Sequence, residues 1–156
     1  MLRTALESIY IFSVIYLVLI YYKLCKNVIF LRRKSKTAIG YKNKKLERAV
    51  RAHSNFCETV PFILLISFIL YFNNLLFFCV PMLIILIFGR TIHARAISNL
   101  NEKLEERRIG MKLTFYSLYI GLAGLIFYIS QLIYFSLQAS INTTILPQWQ
   151  IYKPII

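Results

Sequence analysis

The stretch TVPFILLISFILYFNNLLFFCVPMLIILIFG, Thr59 to Gly89, decides the fold. As one α-helix its 31 residues would run about 46 Å, well beyond a hydrocarbon core of about 30 Å. Asn73-Asn74 breaks the run with two turn-forming side chains. The two halves, Thr59–Phe72 and Leu75–Gly89, are each a little over 20 Å long as helices, too short to cross. Both must therefore extend, at the end away from the turn, into polar sequence. The second span takes in Arg51, Asn55 and Glu58, and the third takes in Arg90 and His93. Ionisable groups at membrane depth are costly and face a protein interior or a wet cavity.

Two further apolar blocks flank this one. Ala5 to Leu24 (ALESIYIFSVIYLVLIYYKL) has the length of a span. It is tyrosine-rich and lacks a small-residue cleavage site, which marks it as an uncleaved helix and not a signal peptide. Met111 to Leu137 is long enough as well. The sequence thus predicts an all-α membrane protein, a four-transmembrane-helix bundle in a single domain, 1–137. Its spans lie near 5–24, 51–72, 75–97 and 110–137, joined by basic loops near 25–50 and 98–109 and followed by a tail at 138–156. Composition agrees. Of 156 residues, 58% are hydrophobic and only 16% charged, against roughly half and a quarter in an ordinary soluble domain. That balance excludes a soluble globule and a disordered chain. Three scattered cysteines, Cys25, Cys57 and Cys79, do not make a disulfide scaffold.

Charge sets the topology. The segment from Arg32 to Arg51 carries nine cations against the single carboxylate of Glu47, and Arg90 to Lys112 carries six more. The Asn73-Asn74 turn is uncharged, and each end of the chain has one cation, Arg3 and Lys153. The positive-inside rule puts both basic loops in the cytoplasm and both termini on the opposite side, in a bacterial inner membrane or the endoplasmic reticulum. The net charge of +13 is accounted for by topology and anionic membrane lipids, so no nucleic acid is implied. Aspartate is absent, and the only histidines are His53 and His93; no metal site is expected from this set.

Three helices carry polar stripes near the basic end. At 100° per residue, Arg51, Asn55 and Glu58 fall at about 0°, 40° and −20° on one face of the second helix, with His53 about 200° from Arg51. Arg90 and His93 are neighbours at i, i+3 on the third helix, and Arg108, Lys112 and Tyr119 share a face of the fourth. One account is structural: Glu58 neutralises an arginine in a buried pair and the other cations snorkel to headgroups. The other is a receptor. Several cations converge on one carboxylate, a set suited to an external anion that carries its own ammonium, such as an amino-acid or peptide-like ligand. Gly121 and Gly124 allow close helix approach. A bundle this small also leaves room for assembly into an oligomer.

The segment RAHSNFCETVPF (Arg51 to Phe62) resembles the R-x-x-x-N-x-x-E…P signature of the membrane-associated proteins in eicosanoid and glutathione metabolism, the MAPEG family. GRTIHARA (Gly89 to Ala96) is similar to that family's G-R-x-x-H segment, and RIGMKLT (Arg108 to Thr114) to its arginine-led fourth helix. The resemblance implies a homotrimer that binds glutathione, as co-substrate, at subunit interfaces near the cytoplasmic face. Arg51, Asn55 and Glu58 would hold the tripeptide, with Arg90 and His93 helping to form the pocket. Arg108 would stabilise the thiolate, with Arg107 as a competing candidate. The implied activity is that of a glutathione transferase or peroxidase, adding the thiolate to a lipophilic electrophile or reducing a lipid hydroperoxide. Thr59 stands where several members have tyrosine, and the third-helix tyrosine is missing at Arg95 and Ile97. Two rivals remain from this reading. One is a non-enzymatic lipid-binding or scaffolding member of the same fold; the other is a small membrane anchor or transport subunit. The sequon Asn142-Thr143-Thr144 lies on the expected non-cytoplasmic side.

Overall fold

The computed structural model describes residues 1–101 and 103–145, with side chains to Ile141. Four helices follow one another: α1 (Leu2–Ser35), α2 (Lys44–Phe72), α3 (Leu76–Ser98) and α4 (Leu104–Ile145). All four are long and apolar enough to cross a membrane. α1, α2 and α4 overrun their expected spans, because apolar length reports lipid thickness whereas a helix continues wherever its own backbone bonds hold, while α3 keeps the expected length one residue further on. Of the expected tail, 138–145 continues α4, and the rest lies outside the described residues, as do the side chains of the sequon.

The connections are read from local chemistry. Asn73 and Asn74 separate α2 from α3: Asn73 Nδ2 donates to the Ile69 carbonyl at 2.8 Å, and Asn74 adopts a left-handed φ of 62° that asparagine tolerates. Asn43 caps α2, its Oδ1 accepting from the Leu46 amide at 2.9 Å. Lys36, at φ 49°, ends α1 in a left-handed cap beneath Arg32 and Arg33, cations that complement the helix C-terminus. Two long-range bonds fix which ends meet. Arg3 Nη2 donates to Asn74 Oδ1 at 2.9 Å, so the start of α1 lies at the turn end of the bundle. Arg48 Nη1 donates to the Ile97 carbonyl at 2.9 Å, joining the start of α2 to the end of α3 at the basic end.

α3 is the central element. It packs on all three others, while α1 packs on α2 and α3, and α4 on α3 and α2, so α1 and α4 occupy opposite flanks. The core runs through Leu17, Phe56, Val60, Ile63, Leu70, Cys79, Met82, Leu83 and Leu86. The outward faces of α1 and α4 expose Phe12, Leu19, Ile126 and Phe135 among many others, the surface expected of helices set in lipid. Tyr10 stacks on Tyr71 with ring centroids 4.4 Å apart, tying α1 to α2. Ser117 Oγ donates to the Met82 carbonyl at 2.8 Å, tying α4 to α3.

Backbone approaches backbone most closely between α3 and α4, where Gly89 faces Gly110. A Cβ on Gly110 would lie 2.7 Å from the backbone nitrogen of His93. Gly121 and Gly124 also sit at contacts, but against side chains of α2 and α3; a Cβ on Gly121 would meet the Met82 sulfur at 2.6 Å and Ile66 Cγ2 at 2.9 Å. Met82 can swing away, whereas backbone cannot. Gly110→Ala is therefore expected to cost about 1–3 kcal/mol, the scale of overpacking, and clearly more than Gly121→Ala. Thermal unfolding of both variants in detergent checks this; an equal loss would remove the Gly89–Gly110 crossing as the governing contact.

Candidate functional site

A cavity of about 540 Å³ opens at the basic end between α2, the end of α3 and the start of α4. Arg51, Asn55 and Glu58 line it together, with Glu47, Arg48 and Ser54 from the same side of α2, Tyr41 from the preceding loop, Ile97 from α3 and Arg107 from α4. The stripe expected at i, i+4, i+7 is thus one wall. Arg51 and Glu58 are exposed, and neither forms an ion pair or hydrogen bond with another described side chain. Helical rise explains why they do not neutralise each other: seven residues place their Cα atoms about 10 Å apart along the axis. The structural account of Glu58 as half of a pair with Arg51 has no geometric basis here.

Behind this wall lies a buried cation. Arg90 has no solvent exposure and no carboxylate within ion-pair distance among the described residues. Nη2 donates to Asn55 Oδ1 at 2.6 Å and lies 3.3 Å from His93 Nδ1; Nη1 reaches Thr114 Oγ1 at 3.5 Å. The guanidinium carbon stands 5.9 Å from the centre of the Phe56 ring, close enough for cation–π attraction. Neutral acceptors and a ring face take the place of a counter-ion around Nη1 and Nη2, while Nε is enclosed without a hydrogen-bond partner among the described residues. The Gly89–Gly110 crossing is what brings Thr114 of α4 alongside.

This network orients Asn55. Arginine only donates, so the asparagine oxygen must face Arg90 and its NH₂ group is the part left for the cavity. Asn55 is thereby presented as a donor between a cation at one end and a carboxylate at the other. Arg90 and His93, expected to help form the pocket, stand behind its wall and do not line it. His93, almost fully buried, packs where Gly110 passes. Arg108 lies outside the cavity, mostly exposed and 3.4 Å from Glu105 Oε1; Arg107, one position earlier and so about 100° round the helix, is the α4 arginine on the lining. His53 is on the other side of α2, 5.5 Å from the Tyr21 ring and 3.7 Å from the Cys57 sulfur. Among the site's residues, Arg48 was within reach of helical periodicity, being about 60° from Arg51. Tyr41 and Thr114 were not, since no local spacing connects them to α2.

Fold and site together define a class: a four-helix membrane protein with a charged cavity at the end where its basic connections gather. The chain belongs to the MAPEG family, whose family model matches residues 10–128. Among curated proteins none matches it.

The division between buried and exposed polar groups has a measurable consequence. Asn55→Ala takes from Arg90 Nη2 its closest acceptor inside the bundle, a loss of about 1–3 kcal/mol. Arg51→Ala removes an exposed group that holds nothing, and should stay within about 0.5 kcal/mol of the parent. Thermal unfolding in the same detergent compares them, and comparable stability of the two variants would contradict the role given to the Arg90–Asn55 bond.

Proposed function

We propose that this protein is a membrane-bound glutathione transferase or peroxidase that works as a homotrimer, with the cavity at the cytoplasmic face. The observation that carries the reading is the arrangement of Arg51, Asn55 and Glu58 on one cavity wall, opposite charges held apart with an amide donor between them. Glutathione matches this order. Its γ-glutamyl ammonium pairs with Glu58, and a carboxylate takes the planar donor fork of Arg51. Membership of a family that includes glutathione transferases and related enzymes supports the same substrate.

The chemistry asks little more than a cation and proximity. A free thiol ionises near pH 8.5, and a neighbouring guanidinium favours the nucleophilic thiolate at neutral pH. That cation comes from the first turn of α4. Arg107 reaches the cavity within the chain; Arg108 lies outside it, so its use as the thiolate partner would require a site shared with a neighbouring subunit. The thiolate sulfur attacks an electrophilic carbon arriving from the bilayer, forming a C–S bond as the leaving group departs with its electron pair. With a lipid hydroperoxide it attacks the terminal oxygen. The O–O bond breaks, the lipid leaves as an alcohol after taking a proton, and a second glutathione converts the sulfenic acid to disulfide and water. Holding polar thiol and oily partner at one interface supplies the proximity term. Because Arg51 and Glu58 are exposed in the protomer, an adjacent subunit is what would shield the thiolate from water.

A glutathione titration of the purified protein tests this. Glu58→Gln and Arg51→Ala should each weaken binding by about 10–100-fold, the scale of one charge-assisted contact. Failure of the parent protein to bind at millimolar glutathione overturns the proposal, and binding without turnover on an activated aryl halide or a hydroperoxide would leave a glutathione-binding scaffold in its place. Arg107→Ala and Arg108→Ala separate the two α4 cations: the thiolate partner lowers kcat at unchanged KM, whereas a binding residue raises KM.

A further inference from the structure

A second cavity, of about 970 Å³, lies between α1 and α3 and shares no residue with the first. α3 is divided between them. Taking Thr91 as zero, Arg95 and Ser98 fall at about 40° and −20°, whereas Arg90, His93 and Ile97 fall at about −100°, −160° and −120°. The first group lines this groove, and the second lies toward the cavity already described. Lys23 and Lys26 of α1 and Arg95 of α3 line the groove, and among the described residues no carboxylate does. Lys26 also stands 5.3 Å over the Tyr22 ring.

The lining is layered along the membrane normal. α1 and α3 both run from the turn end to the basic end, so Lys23, Lys26 and Arg95 share the basic level. Thr91 lies about 6 Å deeper than Arg95, and Leu19 and Tyr16 lie about 6 and 10 Å deeper than Lys23. The Thr91 hydroxyl oxygen is enclosed and has no hydrogen-bond partner among the described residues, although a helical threonine ordinarily bonds the carbonyl one turn back. Snorkelling cations would need no cavity beneath them. A set of three cations above an unsatisfied donor above an apolar floor has the polarity profile of a phospholipid: phosphate, ester and acyl chain.

We propose that the α1–α3 groove is a binding site for an anionic glycerophospholipid, its phosphate held by Lys23, Lys26 and Arg95 and its acyl chain laid along Tyr16 and Leu19. The site is independent of glutathione binding and does not rest on it.

The test uses the full-length protein, delipidated in detergent, with dioleoylphosphatidylglycerol and dioleoylphosphatidylcholine titrated and bound lipid counted by native mass spectrometry. The phosphatidylglycerol should bind at least tenfold more tightly. The double variant Lys23→Gln/Arg95→Gln should bring the two lipids within about twofold, while Thr91→Val should weaken both alike. Equal affinities in the parent protein, or an undiminished preference in the double variant, overturn the proposal. Displacement by an equal concentration of inorganic phosphate would make the groove a free-anion site, and loss of subunits from the assembly in the double variant without lipid binding would make it an interface with a second copy; either result also overturns it. Should the double variant fail to fold by circular dichroism, Lys26→Gln must reduce the phosphatidylglycerol preference by itself, and an unchanged preference there is equally fatal.

Discussion

A guanidinium closed off from water depends on whatever acceptors the protein provides, and Arg90 turns its two Nη groups to three different helical neighbours while its Nε goes without one among the described residues. Asn55 brings in α2, Thr114 brings in α4, and His93 lies one turn along α3 itself. None is a carboxylate. The network therefore holds only while the three helices keep their spacing, since hydrogen bonds to neutral groups decline steeply with distance and angle. That spacing comes from the Gly89–Gly110 crossing, where the absence of two Cβ atoms lets the α3 and α4 backbones approach. Packing and polar satisfaction are thus one arrangement.

The exposed charges follow a different rule. Arg51 and Glu58 are placed on the same face as Asn55, yet they remain unspent within the protomer. Burying a charge without a partner is costly, and one left at an open cavity avoids that cost. What the helix supplies is separation: two turns hold opposite charges too far apart to collapse onto each other and near enough for one small zwitterionic molecule to span. The buried arginine contributes indirectly by fixing which end of the Asn55 amide faces the cavity.

α3 links the two cavities because the residues near its basic end divide between two sides. One side carries Arg90, His93 and Ile97, and the other Thr91, Arg95 and Ser98. As the most enclosed helix it has little lipid-facing surface to fill, so its basic-end residues meet either α2 and α4 or α1. The outer helices differ. α1 and α4 keep broad apolar faces and, apart from Arg3 at the turn end, place their cations toward the basic end.

Several features were legible before any coordinates. The lengths of the two short apolar segments, the Asn73-Asn74 break and the run of cations from Arg32 determine four crossings and the drawing-in of Arg51, Asn55, Glu58, Arg90 and His93. Helical periodicity alone places Arg51, Asn55 and Glu58 on one face, because those residues share one helix and one regular rotation. Tertiary structure decided everything that depends on two helices meeting: that Arg90 is buried behind Asn55 instead of lining the cavity, that Arg107 and not its neighbour Arg108 reaches this cavity, that Gly110 is pressed against the α3 backbone, and that a second groove opens beside α1. Periodicity carries no information about the relative rotation of separate helices. That rotation is set by packing between residues far apart in the chain.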